Sequence, residues 1–106
     1  MSENSERAHL LERAGECVLH ERNATYGPPT QDFDRIAAMW SILFNHDFTS
    51  HDVARALIVL KLSRLNHSPS HLDNWVDIAG YAACGWECAV EQTKLESVIH
   101  EVISKK

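Results

Sequence analysis

Residues 73–86 read DNWVDIAGYAACGW, and this stretch decides the fold. Asp73 and Asp77 are four residues apart, so a helix places them on one face, one turn above the other. The same helix carries two glycines, each of which costs about 1 kcal/mol relative to alanine in a helix interior. Close approach of a neighbouring helix would offset that cost. We therefore predict that the glycines, together with Trp75 and Trp86, serve helix packing.

Apolar residues recur at helical spacing through the rest of the chain. They predict helix one over about Glu3 to Arg22, helix two from Thr30 or Gln31 to Phe44, and helix three from a Thr49–Asp52 capping pair to His67. Helix four is predicted to start at a Ser70 cap.

The last helix runs unbroken to about Ile103 or breaks around residues 91–93, and the sequence leaves this open. The segment ALIVLKL at 56–62 is apolar nearly all round, which predicts that helix three is central. Short connectors place successive helices side by side. We predict an all-α antiparallel bundle of four helices, or five if helix four breaks, forming a single domain over residues 1–106.

Composition narrows the classes of partner. The net charge of −5 argues against binding to nucleic acid or an anionic membrane. No apolar run approaches the roughly 18 residues of a membrane helix, and the N-terminus lacks a signal-peptide pattern, which predicts a cytoplasmic protein. The three cysteines are predicted to be reduced packing residues. Leu95, Val98, Ile99 and Val102 form a stripe larger than one small bundle buries, which favours a homo-oligomer.

Two interpretations account for the aspartates of helix four. An antiparallel hairpin brings Lys61 and Arg64 of helix three near Asp73 and Asp77, so the four charges could form a structural ion-pair cluster that joins the two helices. Alternatively, the two aspartates hold Mg²⁺ while the two cations hold substrate phosphates. A metal site of this kind needs further acids, for which the candidates are Asp52, Asp32 or Asp34, and Glu12 and Glu16.

The segment NATYGPPTQ at 23–31 is predicted to be a loop because of its two prolines. Tyr26 could stack on a nucleobase, with Arg22 contacting phosphate. The alternative is a turn whose tyrosine covers the end of the bundle.

Four segments carry a resemblance to known proteins: ERNATYG, FDRIAAMW, DVARALIVLKLSRL and DNWVDIAGYAA. In this order they resemble a group of small phage and prophage proteins of unassigned function, over about Glu21 to Ala83. Those proteins look like distant relatives of the all-α nucleoside triphosphate pyrophosphohydrolases, the MazG and dimeric dUTPase group. The resemblance implies an oligomeric helical bundle in a phage-infected or prophage-bearing bacterial cell.

The same resemblance implies hydrolysis of a nucleoside triphosphate to monophosphate and pyrophosphate, with Mg²⁺ held by acids on two helices. Asp73 and Asp77 would take the place of the Glu-x-x-Asp pair, with a spacing of four instead of three. The Glu-Glu-x-x-Glu cluster of that group has no counterpart on helix three, where Asp52 is the one acid before ALIVLKLSRL. We therefore carry forward two functions: a Mg²⁺-dependent pyrophosphohydrolase, and a non-catalytic helical protein that binds a host or phage partner.

Overall fold

The computed structural model describes residues 5–21 and 27–105. Within these ranges all regular secondary structure is helical, and there is no strand. Four helices pack against one another, which confirms the predicted fold class. Helix four is continuous, so the alternative with five helices is wrong. The elements in chain order are α1 (Glu6–Glu16) with a π-helical turn (Cys17–Glu21), α2 (Pro29–Phe44), α3 (Ser50–His67) and α4 (Leu72–Ser104).

α2 begins at Pro29, earlier than the predicted Thr30 or Gln31, so the last three residues of the predicted loop are helical, and it ends at Phe44 as predicted. Pro29 is the first helical residue, where its fixed φ is favourable and its missing N–H costs nothing. Asn45 ends the helix in the left-handed conformation, with φ 51° and ψ 50°. The N–H of His46 then donates to the Ser41 carbonyl at 3.2 Å, and the N–H of Phe48 donates to the Ser41 hydroxyl at 2.9 Å. These bonds fix the connector between α2 and α3.

α3 starts with the predicted capping box. The N–H of Thr49 donates to Asp52 Oδ2 at 2.9 Å, and the N–H of Asp52 donates to Thr49 Oγ1 at 3.3 Å. Asp52 also pairs with Arg55 one turn later. The bond from the Thr49 backbone is the main cause that lowers the pKa of Asp52; partial burial opposes it and the Arg55 bond supports it.

The Asp52→Ala variant is expected to lose about 1 kcal/mol of unfolding free energy at neutral pH, because two helix-start N–H groups lose their reciprocal cap. The pKa of Asp52 is lower in the folded than in the unfolded state. The stabilisation is therefore complete above the unfolded pKa of about 4 and is lost as pH falls through the folded pKa. Urea unfolding of both proteins across this range measures it. A difference that stays constant down to about pH 2 would contradict this account.

The start of α4 corrects one prediction. The N-cap is His71 and not Ser70, and no side chain caps the helix. The turn is held instead by the Trp75 indole, which donates to the Pro69 carbonyl at 2.8 Å. Trp75 therefore fixes the turn. Trp86 is 71% exposed, so the prediction that both tryptophans serve helix packing is wrong.

The central helix is α4 and not α3. α4 contacts α1, the π-helical turn, α2 and α3, whereas α3 contacts α2 and α4. One face of α3 packs through Val53 and Ala54, which are almost fully buried. Val59, Leu60 and Leu62 of the same helix are nevertheless exposed. Apolar residues all round the helix thus did not predict burial all round within one chain.

The glycines of α4 allow close helix contacts, as predicted. A Cβ added to Gly85 would lie 2.8 Å from the Cβ of Ala54 on α3, and one added to Gly80 would lie 3.0 Å from Cγ1 of Val18 on the π-helical turn. All three cysteines are buried and none forms a disulfide, also as predicted. Burial raises the pKa of the Cys88 thiol.

Gly85→Ala is expected to lower the unfolding free energy by about 1 to 2 kcal/mol. Overpacking against the Ala54 methyl group outweighs the gain in helix propensity. Gly15→Ala in α1 is the matched control, because no atom lies within 4 Å of its added Cβ, and it should gain about 0.5 to 1 kcal/mol. Thermal or urea unfolding checks both. Equal effects of the two substitutions would contradict the contact.

Candidate functional site

A largely buried ion pair joins α3 to α4. Lys61 Nζ lies 2.8 Å from Asp77 Oδ2, and their side chains are 12% and 15% exposed. The two residues meet because α3 and α4 form an antiparallel hairpin and stand at similar distances from its turn. One predicted contact between the basic residues of α3 and the acids of α4 is thereby present.

Asp77 also lines a cavity of about 190 Å³. The cavity lies between the π-helical turn, the start of α2, α3 and α4. Its polar lining comes from Asp32, Asp77 and Tyr81. The remaining walls are mainly apolar or thiol side chains: Cys17, Val18, Pro29, Phe33, Ile36, Leu57, Val76 and Cys84. A mostly apolar cavity with a few convergent polar groups is the usual form of a small-ligand site.

Asp73 and Arg64 lie outside this cavity. Asp73 is exposed in the first turn of α4, one turn or about 6 Å before Asp77 along the helix. Arg64 is exposed and lines a separate shallow surface at the hairpin turn, with His67, Ser68, His71 and Asn74. The four predicted residues therefore divide into a buried pair, Lys61 and Asp77, and two exposed residues near the hairpin turn.

Asp52 is not brought together with the other predicted metal ligands. It stands at the opposite end of α3, nine residues or about 13 Å along the helix from Lys61. Its carboxylate accepts the Thr49 N–H and pairs with Arg55, so it serves the start of the helix. This corrects the expectation that Asp52 completes a metal site with Asp73 and Asp77.

Arg22 and Tyr26, the predicted phosphate and base contacts, lie outside the described residues. Gly27, the residue after them, lines the cavity and has a φ of 81°, a conformation that favours glycine. Gly27 and Pro29, at the end of the predicted loop, thus lie at the wall of the cavity.

Asp32 is the site residue that the sequence singled out least clearly, as one of several acids available for a metal. It lies in the first turn of α2, and its Oδ1 is 3.3 Å from Arg35 Nη2. Its position one turn after Pro29 is the signal that could have marked it, since Gly27 and Pro29 line the same cavity. The described residues contain no group of three or more His, Cys, Asp or Glu side chains able to hold a metal. Asp32 and Asp77 nevertheless supply two carboxylates to one cavity, and Mg²⁺ bound with substrate phosphates commonly needs only one or two.

Comparison with known proteins identifies relatives without assigning a reaction. The model of a domain of unknown function, DUF6378, matches residues 9–89. The gene 55 protein of Mycobacterium phage D29 is 36% identical over 75 residues, covering 71% of this chain and 50% of the relative. The gene 55 protein of Mycobacterium phage L5 is 38% identical over 74 residues, covering 69% and 47%. The chain thus spans about half the length of these curated relatives. No solved structure matches.

The matched region contains the whole candidate site. Asp32, Lys61 and Asp77 lie between residues 9 and 89, whereas the C-terminal part of α4 lies beyond it. In the part of the chain that the structure describes, no helix is long and apolar enough to cross a membrane.

Proposed function

We propose that this chain, a member of the DUF6378 family, binds a nucleoside triphosphate beside Lys61 and Asp77. The geometry of these two residues and of the adjoining cavity supports the proposal. In this proposal the chain hydrolyses the triphosphate with Mg²⁺, in the manner of the MazG-like enzymes. The observation that supports it most is the position of Asp77. This one carboxylate contacts a buried ammonium group and also lines an apolar cavity.

The size of the cavity decides which part of the ligand it takes. A dry cavity of about 150 Å³ is sufficient for benzene, so 190 Å³ suits one aromatic ring and is too small for a complete triphosphate. We therefore assign the base to the cavity, against Phe33 and Tyr81. The phosphates lie at its polar edge, where Lys61 is available and Arg64 lies nearer the surface.

Both members of the ion pair can change partners when the ligand binds. In the free protein, the Lys61 ammonium and the Asp77 carboxylate neutralise each other. With a metal-bound triphosphate in the site, Lys61 would contact a phosphate oxygen and Asp77 would hold the metal, so neither buried charge would lack a counter-charge. Asp32 is the second carboxylate available in the cavity, and Asp73 is the next acid along α4.

The reaction in this proposal is the attack of water on the α-phosphorus. The bond between that phosphorus and the bridging oxygen breaks, pyrophosphate leaves, and the proton of the water passes to a carboxylate or to solvent. Mg²⁺, when bound, neutralises phosphate charge and polarises the phosphorus–oxygen bonds. The residues of the chain hold the base, orient the phosphates and place the carboxylates beside them. We place this activity in the cytoplasm of an infected or prophage-bearing cell.

Pyrophosphate release tests the proposal. The protein is incubated with each ribo- and deoxyribonucleoside triphosphate in Mg²⁺ or Mn²⁺, and monophosphate and pyrophosphate are quantified. We expect equal amounts of the two products with at least one substrate and no products when the metal is chelated. Absence of products from the whole series would overturn the hydrolase.

A second candidate function is a non-catalytic helical protein that binds a host or phage partner. The outer face of α3 favours it, because Val59 is 63% exposed and Leu60 and Leu62 are exposed beside it. This function predicts that Val59→Ser with Leu62→Ser leaves the melting temperature unchanged but removes the activity of the gene in infected cells. Retention of that activity by the double variant would contradict this second function.

A further inference from the structure

The last part of α4 projects beyond the other helices. α4 has 33 residues, about 50 Å of helix, and the molecule extends 57 × 34 × 23 Å. Its radius of gyration is 16.5 Å, whereas a compact chain of this length has about 13 Å. Every described residue after position 92 is exposed. The core of the bundle therefore does not account for this segment.

The projecting segment carries an apolar stripe whose side chains are 48 to 64% exposed. At 3.6 residues per turn, the stripe continues the face that carries Gly80, Cys84 and Cys88 into the core. The same helix face is thus buried in its first half and uncovered in its second. We call the uncovered half the C-terminal stripe; it consists of Leu95, Val98, Ile99, Val102 and Ile103.

The end of the C-terminal stripe nearest the bundle borders a groove. Leu95 lines an open groove of about 600 Å³ between α4, α2 and the connector before α3. Ala38, Phe48 and Cys88 supply apolar wall to it. A helix laid along the C-terminal stripe would therefore reach the bundle itself at this end.

The charges beside the C-terminal stripe favour a second copy of this chain as its partner. On one flank, Lys94 precedes and Glu101 follows the middle of the stripe, while Glu91 and Lys105 lie in line with Val98, two turns before and after it. In an antiparallel pair of identical helices, each flank faces the same flank of the other copy. If the pair crosses near Val98, Lys94 lies opposite Glu101 of the second copy, and Glu91 lies opposite Lys105.

The apolar residues fit the same crossing point. Leu95 then faces Val102 of the second copy, and Val98 faces its Ile99. The tip of the second helix at Val102 reaches the groove beside Leu95. The apolar pairs and the two charge pairs therefore require crossing points that agree to within about one residue, or about 1.5 Å along the helix.

We propose that a second copy of this chain covers the C-terminal stripe, in an antiparallel two-fold dimer centred near Val98. Within one chain, Glu91 pairs with Lys94 at 4.0 Å and Glu101 with Lys105 at 3.1 Å, and all four side chains are well exposed. They can exchange these weak internal pairs for intermolecular ones. The segment from Glu91 to Lys105 offers fewer residues than the roughly 20 to 30 a side of a standard interface, so we expect a weak dimer with a dissociation constant on the order of micromolar.

Sedimentation equilibrium of the full chain tests the dimer. We expect a concentration-dependent monomer–dimer equilibrium for the wild type and a monomer at all concentrations for Val98→Glu with Ile99→Glu. The matched control, Val59→Glu with Leu62→Glu on the exposed face of α3, should keep the wild-type equilibrium. Circular dichroism verifies that each variant stays helical. A wild-type monomer at every concentration, or a dimer that survives the Val98 and Ile99 substitutions, would overturn the proposal.

A charge exchange tests the orientation. Lys94→Glu alone should weaken the dimer about tenfold, because two attractive pairs become repulsive, and Glu101→Lys alone should do the same. The double variant Lys94→Glu with Glu101→Lys should restore the wild-type dissociation constant. Absence of that recovery would contradict the antiparallel arrangement. None of these outcomes depends on nucleotide hydrolysis.

Discussion

Replacing Lys61 by Met is expected to lower the unfolding free energy by about 3 kcal/mol, the largest stability loss that we predict for one side chain. The substitution keeps most of the apolar stem of the side chain but removes the ammonium group 2.8 Å from Asp77. The Asp77 carboxylate is 15% exposed, so the lost partner is replaced poorly by water. Removing one member of a buried ion pair typically costs about 3 to 5 kcal/mol. Urea unfolding at neutral pH measures the loss.

The second single variant and the double variant complete this measurement. Asp77→Leu should also destabilise the protein, because Lys61 then loses its partner. Lys61→Met with Asp77→Leu should recover most of the stability, since an apolar pair of similar volume often replaces a buried ion pair at little cost. Additive losses in the double variant would show that the two residues do not stabilise the helix pair through each other.

Asp32→Asn is expected to reduce pyrophosphate release at least 100-fold with little change in folding. The substitution keeps the shape of the side chain but removes the negative charge from the cavity. Asp34→Asn is the matched control, because Asp34 lies on the same helix but lines the groove near Leu95 and not the cavity. Initial rates at saturating and limiting triphosphate separate the effect on kcat from that on KM. Equal rates for the two variants would contradict the role of Asp32.

The limits of the helices were predictable because they depend on local sequence. The Thr49–Asp52 capping box is an example, because it acts through neighbours in the chain. The start of α2 was placed one or two residues too late, because Pro29 was assigned to the loop and is the first residue of the helix. The start of α4 was predicted less well. Its turn is held by the indole of Trp75 on the Pro69 carbonyl, and the sequence pattern of Ser70 does not reveal such a bond.

The candidate site was predictable only in part, because it depends on tertiary packing. The contact of Lys61 with Asp77 follows from an antiparallel hairpin and was expected. The place of Asp32 depends on how α2 lies against α4, which local pattern does not specify. Local sequence correctly predicted that Asp52 caps α3. That capping position lies at the far end of α3 from the cavity, so the additional expectation that Asp52 is a metal ligand was not met.

The most direct test of the central claim, a nucleotide site beside Lys61 and Asp77, is unfolding of the protein in the presence of its proposed ligand. Melting is measured with Mg²⁺ alone, with each triphosphate alone, and with both together. A ligand at about 100 times its dissociation constant adds about 2.7 kcal/mol, which raises Tm by roughly 10 °C for a domain of this size. We predict such a rise for at least one triphosphate only when Mg²⁺ is also present, and its absence from Asp32→Asn. No shift with any triphosphate and metal would contradict the claim.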